Sequence, residues 1–213
     1  MDRKRTILAL AACSLLAAPA SSLLADQLEL TGVVRDFKRG DWNGGHPDFE
    51  TAGAMHRFGH VLGMVTMQIG DNAKPVYNPD RPAMDTMHGA DRFNQWYNDV
   101  PGVNATGALT LTLDNGSDEP GGIYTYSNSN FFMVDNQFFG NQGLNHNFHF
   151  TFELHTTFTH EQGQTFTFIG DDDVWVYING MRVIDLGGVH SAVTGSVVLF
   201  DGKAFVLRSD FPE

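Results

Sequence analysis

The stretch NFHFTFELHTTF, residues 147–158, is the longest alternating run in the chain. Phe148, Phe150, Phe152 and Leu154 fall on one side of it, and His149, Thr151, Glu153 and His155 on the other. A period of two held over so many residues predicts a strand with one face buried and the other solvated. Working outward, Gln27 to Val34 alternates well enough for a first strand, and Ala108 to Leu113 sets Leu109, Leu111 and Leu113 against threonines. Gln164 to Ile169 and Val174 to Ile178 flank the acidic turn Gly170-Asp171-Asp172-Asp173 as a hairpin. Asn179-Gly180 then offers the positive φ angles of a type I′ turn before Met181 to Leu186. These three strands in series read as an antiparallel meander. Val197 to Phe200 and Ala204 to Leu207 add short strands around Asp201-Gly202.

One helix is predicted from about Met87 to Tyr97, where Phe93, Trp96 and Tyr97 fall at i, i+3 and i+4. Gly70 to Met84 and Asp114 to Asn145 are rich in Gly, Asn, Pro and Asp and read as long surface loops. The expected fold class is therefore all-β, a single antiparallel sandwich or barrel with long loops and one short helix.

The N-terminus reads as a secretory leader over residues 1–25, with a basic start, an apolar run from Ile7 to Ala18 and a small-residue exit. Cleavage is expected after Ala20 or after Ala25. Leu10-Ala11-Ala12-Cys13 also has the local form of a lipoprotein processing site, although the apolar stretch before it is short. Twelve or so apolar residues are too few to span a bilayer that needs about 20, so no membrane insertion of the mature chain is expected. Cys13 is the only cysteine, and a mature chain of residues 26–213 would use no disulfide. The leader carries three positive charges and one negative, so its removal takes the formal charge from −12 to −14. So acidic a chain repels phosphate backbones, which argues against nucleic acid as a partner and for cations.

The blocks Thr31-Gly32-Val33-Val34-Arg35-Asp36-Phe37, His46-Pro47-Asp48-Phe49-Glu50, residues 93–104 (FNQWYNDVPGVN) and residues 170–190 (GDDDVWVYINGMRVIDLGGVH) occur in order. Together, from about Leu28 to Gly202, they resemble the fibro-slime domain, which is related to the protective-antigen-type β-barrel module of adhesins, toxins and glycosidases. The resemblance implies a secreted or cell-surface, carbohydrate-associated module, with extracellular or cell-surface glycans as partners. In the adhesin branch it implies a calcium ion held by two consecutive aspartates, often joined by a cis peptide, and the matching pair is Asp171 and Asp172. Successive carboxylates in a tight turn suit a hard cation that takes six to eight oxygen ligands. Asp173 is expected to start the next strand, while Asp185 and His190 lie in the following Gly-rich segment and could approach the same end of the sheet. The pattern departs at its end: the family's closing strand, with Phe-Phe and a Glu-Arg-His stretch, does not follow Phe205, so the domain over 26–213 is expected to lack it.

Other constellations read more plainly. His149, Glu153 and His155 share a strand face, but four residues of strand span about 13 Å, too far for one ion. Glu153 and His155 are close enough, with a solvated face the better reading. Trp175, Trp96 and Tyr97 could stack on sugars, but the positions of the two tryptophans, in a strand and on a helix face, favour the core. The mature chain has no cysteine nucleophile, no Gly-x-Ser-x-Gly and no phosphate loop, and no carboxylate pair is placed for glycoside hydrolysis. A non-enzymatic, calcium-dependent carbohydrate-binding or adhesion module is the leading expectation. The alternatives are a structural surface or matrix protein in which calcium only braces a loop, and an ancillary domain of a secreted glycosidase.

Overall fold

In a computed structural model the fold is described over residues 4–8, 27–49, 59–81, 87–116 and 122–207. The chain is all-β. Its strands are β1 (Lys4–Leu8), β2 (Gln27–Phe37), β3 (Asn104–Asp114), β4 (Phe150–Glu153), β5 (His155–Thr159), β6 (Gln164–Gly170), β7 (Val174–Ile178), β8 (Met181–Leu186), β9 (Val193–Phe200) and β10 (Lys203–Leu207). Every strand pairing is antiparallel, in sheets ordered β3-β2-β4, β10-β9-β6 and β5-β1-β7-β8. The largest core draws on all three sheets: Leu30, Leu111, Leu113, Phe158, Phe166, Phe168, Val176, Ile184, Leu186, Val197 and Leu199 pack together. Each large aliphatic or aromatic side chain so buried contributes about 1.5–3 kcal/mol.

Leu111 and Leu113 point into this core while Thr110 and Thr112 stay exposed, as the alternation in β3 predicts. Asn179 (φ 52°) and Gly180 (φ 80°) turn β7 into β8 as expected. Asp201 (φ 47°) and Gly202 (φ 74°) do the same between β9 and β10.

Three expectations change. The segment at 147–158 is two strands, not one, and as far as Glu153 its burial is inverted: His149, Thr151 and Glu153 are buried at 0%, 8% and 2% exposure, whereas Phe148 is 42% exposed. From Leu154 on, the expected face is buried, with Leu154 and Phe158 inside and His155 exposed. Polar partners make the inversion tolerable, since the Thr151 hydroxyl donates to the Trp96 carbonyl (2.5 Å) and Glu153 is ringed by cations. Second, the meander is broken at its first link. β6 pairs with β9 and β7 with β8 and β1, so the turn at 170–173 carries the chain from one sheet to another. Third, the helix shrinks to α1 (Ala90–Phe93), continued by single turns in which Gln95 N–H donates to Arg92 and Trp96 N–H to Phe93. Phe93, Trp96 and Tyr97 nevertheless all face a second core that includes Phe37, Phe49, Met64 and Trp175.

The expected leader lies outside the described residues except for β1. That strand sits between β5 and β7, matching Ile7 with both Thr156 and Ile178. Residues 208–213 also lie outside the described ones.

Candidate functional site

The acidic turn between β6 and β7 is where the resemblance places a cation. Gly170 ends β6, Asp172 adopts the left-handed conformation (φ 59°), and Asp173 leads into β7. The Asp171–Asp172 peptide is trans. Asp171 and Asp172 are exposed and Asp173 half-buried. Opposite them, residues 59–61 run beside the segment after β8, with Gly59 N–H donating to Val189 (2.8 Å) and Val61 N–H to Gly187 (2.7 Å). Gly188 has φ 96°, and a Cβ there would stand 2.4 Å from the Gly59 carbonyl oxygen, so only glycine admits this approach.

The turn grips that segment. Asp173 Oδ1 accepts the Gly188 N–H at 2.7 Å and Asp172 Oδ1 the His190 N–H at 3.2 Å. Burial pushes the Asp173 pKa up to about 7; the Gly188 hydrogen bond opposes this, and the neighbouring Asp172 charge reinforces it. His190 is buried with its ring nitrogens facing the carbonyl oxygens of Ser191 (2.9 Å) and Leu186 (3.2 Å). Its ring stacks on His60 at 4.3 Å, and burial lowers the His60 pKa, with His190 adding to the effect. Asp185 is spent on structure: Oδ1 accepts from Trp175 Nε1 (3.0 Å), and Oδ2 from Gly63 N–H (2.8 Å) and the Arg182 guanidinium (3.0 Å). The structure thus brings Asp172, Asp173 and His190 together and sets Asp185 against Trp175 and Arg182.

Among the described residues, no group of three or more His, Asp, Glu or Cys side chains converges as a metal cage. Calcium also takes backbone and water oxygens, and the exposed, adjacent carboxylates of Asp171 and Asp172 offer the hard donors it prefers.

Two polar clusters are larger than the sequence suggested. Glu153 receives Arg35 Nη1 (2.7 Å), Lys74 Nζ and His155 Nε2 (2.6 Å), and Arg35 Nε reaches Asp99 (2.7 Å). Burial works against the Glu153 carboxylate, but its hydrogen bonds from His155 and Lys74, with the Lys74 and Arg35 charges, hold its pKa down at about 2. Glu153 and His155 therefore bind each other, and Lys74 ties β4 to the 70–76 loop. The second cluster centres on buried Asp48, which accepts His88 N–H (2.9 Å), His88 Nδ1 (2.6 Å) and Trp96 Nε1 (2.9 Å). This fixes the ring of a half-exposed histidine. The His-Pro-Asp-Phe block marked Asp48, but nothing in the sequence signalled its partner forty residues on.

Trp96 and Trp175 are buried at 6% and 5% exposure, so neither presents a face to a ligand. Among the described residues, no helix is long and apolar enough to cross a membrane.

No family model matches the chain, and no solved structure matches it. Its relatives by sequence include proteins of Dictyostelium discoideum. It is 36% identical to protein psiR over 167 residues, covering 72% of this chain and 16% of psiR. It is 38% identical to protein psiQ over 154 residues, covering 66% of this chain and 15% of psiQ. Similarity to protein psiC is 34% over 180 residues, 78% of this chain and 34% of psiC. The chain thus matches a segment that makes up between 15% and 34% of the length of these relatives.

Proposed function

We propose that the chain is a fibro-slime-type module, secreted or held at the cell surface, that binds extracellular glycans or mediates adhesion in a calcium-dependent way and is not an enzyme. The observation that carries this reading is the turn at 171–173. Three consecutive carboxylates crowd one sheet crossover, and the third is pushed up to about 7 by burial and by its neighbour. A cation relieves such crowding most directly. Asp171 and Asp172 would hold calcium, which would supply positive charge and oxygen coordination at the exposed end of the sheet. The same turn grips residues 187–190, so an ion there would set the shape of the loop that a glycan meets.

A second reading has an observation of its own. Asp172 and Asp173 already clamp backbone N–H groups of the 187–190 segment, which suits a structural surface protein whose calcium only braces that loop. Calorimetric calcium titration separates a site from a turn: Asp171→Asn and Asp172→Asn should each weaken binding by at least about tenfold, since each removes a charge from a hard-ion site. Equal affinity in wild type and both variants overturns the calcium reading. Glycan-array binding that survives a chelator overturns calcium dependence, and no glycan binding at all favours the structural reading.

A further inference from the structure

We infer that Trp42 is a stacking platform for a sugar ring, an inference that rests on the glycan-binding reading proposed above. Two of the three tryptophans are buried in the second core; Trp42 is 46% exposed at the tip of the turn after β2. An isolated exposed apolar residue is ordinary on a protein surface, but this one is held in place by a buried support.

Directly behind the indole lies Arg39, which is only 6% exposed, its guanidinium 5.9 Å from the ring centroid. That guanidinium is itself locked: Nε and Nη2 donate to the two oxygens of Asp41 (2.6 and 2.8 Å), and Nη1 donates to the Gln142 carbonyl (3.0 Å). Gln142 in turn accepts the Arg39 N–H (2.8 Å) and donates to the Phe37 carbonyl (2.8 Å), anchoring the assembly to the last residue of β2. The turn is closed by Trp42 N–H to Arg39 (3.0 Å), Gly45 N–H to Trp42 (2.8 Å) and His46 N–H to Lys38 (2.9 Å). A Cβ on Gly45 would stand 2.0 Å from the Arg39 carbonyl oxygen, so the turn depends on glycine at that position.

A buried arginine fixed by a bidentate, half-exposed aspartate beneath an aromatic ring is more support than a side chain that merely dangles in water requires. It fits a ring that must be rigid before its ligand arrives, because preorganisation lowers the entropy lost on binding. The indole offers a flat apolar face, and its chain neighbours Asp41, whose side chain is 38% exposed, and Asn43, also exposed, bring a carboxylate and an amide to the same turn. An apolar face on a turn that also carries an exposed carboxylate and an exposed amide suits a neutral pyranose, which carries C–H groups on one face and hydroxyls at its rim. The strongly acidic chain disfavours a polyanionic ligand.

The test is saturation-transfer NMR on the secreted protein with the methyl glycosides of glucose, galactose and mannose, each in calcium and in EDTA. At least one glycoside should receive saturation on the ring protons of a single face. That signal should fall at least tenfold in Trp42→Ala, with an unchanged circular dichroism spectrum, and be partly kept in Trp42→Phe. Unchanged transfer in Trp42→Ala, or no transfer to any of the three sugars in either buffer, overturns the inference. Transfer that depends on Trp42 but ignores both EDTA and Asp172→Asn supports it while overturning the calcium-dependent function, so the two can fail separately.

Discussion

Two carboxylates carry opposite proton linkages. Glu153 falls from 4.5 to about 2 on folding, so the stability it contributes is fully present above about pH 4.5 and is lost as the pH falls towards 2. Replacing it by Gln should cost about 3 kcal/mol in urea unfolding at pH 7, because buried Arg35 loses its partner on β4. The same variant should flatten the stability loss between pH 4.5 and 2, and an unchanged acid limb would show that Glu153 is not its source. Asp173 moves the other way, from 3.8 to about 7. Its contribution is greatest below about pH 4 and is lost as the pH rises towards 7. Asp173→Asn keeps an oxygen for the Gly188 N–H and removes the enclosed charge. Without calcium the variant should therefore match wild type near pH 4 and exceed it at pH 7. If wild type stays the more stable at pH 7 in EDTA, the charge is not a burden there.

The strand elements were legible wherever one face meets the core and the other meets water. β3 obeys its alternation because nothing covers Thr110 and Thr112. β4 defeats the same rule, since cations and carbonyl oxygens supplied from residues 35, 74 and 96 turn its polar side inward. No window along the sequence contains those partners. The turn at 170–173 was misread for a related reason: tight acidic turns look alike whether they join neighbours in one sheet or carry the chain between sheets. By contrast Asn179-Gly180 was readable because left-handed backbone at two consecutive positions is a local demand. Gly180→Val should lower the melting temperature through strain of about 1–3 kcal/mol at that corner, while Gly44→Val is not a fair control because Gly44 is also left-handed. Thr110→Val, on the exposed face of β3, serves that purpose and should change little. Equal losses would mean that the β7–β8 corner is not under the stated constraint. The candidate site was half legible: adjacent aspartates announced themselves, whereas the clamps to Gly188 and His190 and the support beneath Trp42 are products of tertiary contact.

At the scale of the molecule, the segment expected to act as an export leader supplies β1, the strand that separates β5 from β7. If export removes residues 1–25, as the proposed function requires, five backbone positions of β5 and part of β7 lose their antiparallel neighbour. Unpaired N–H and C=O groups along two facing edges form a template for any extended strand of matching register. Mass spectrometry of the secreted protein should place its N-terminus between Ser21 and Asp26, and a lipid-modified Cys13 would instead support the lipoprotein alternative. Purified residues 26–213 should then self-associate in a concentration-dependent way in analytical ultracentrifugation. A synthetic peptide of residues 3–10 should reverse this and raise the melting temperature by mass action. The reason is geometric: in the full chain, β1 matches Lys4 to Leu8 against Thr159 to His155 and also reaches Tyr177 and Ile178, so one inserted strand satisfies both edges at once. A scrambled peptide, which loses the register, should do neither. A secreted chain that is monomeric, unfolds cooperatively and ignores the peptide would mean that β5 and β7 close on each other or on another strand, and that β1 is dispensable to the mature sheet.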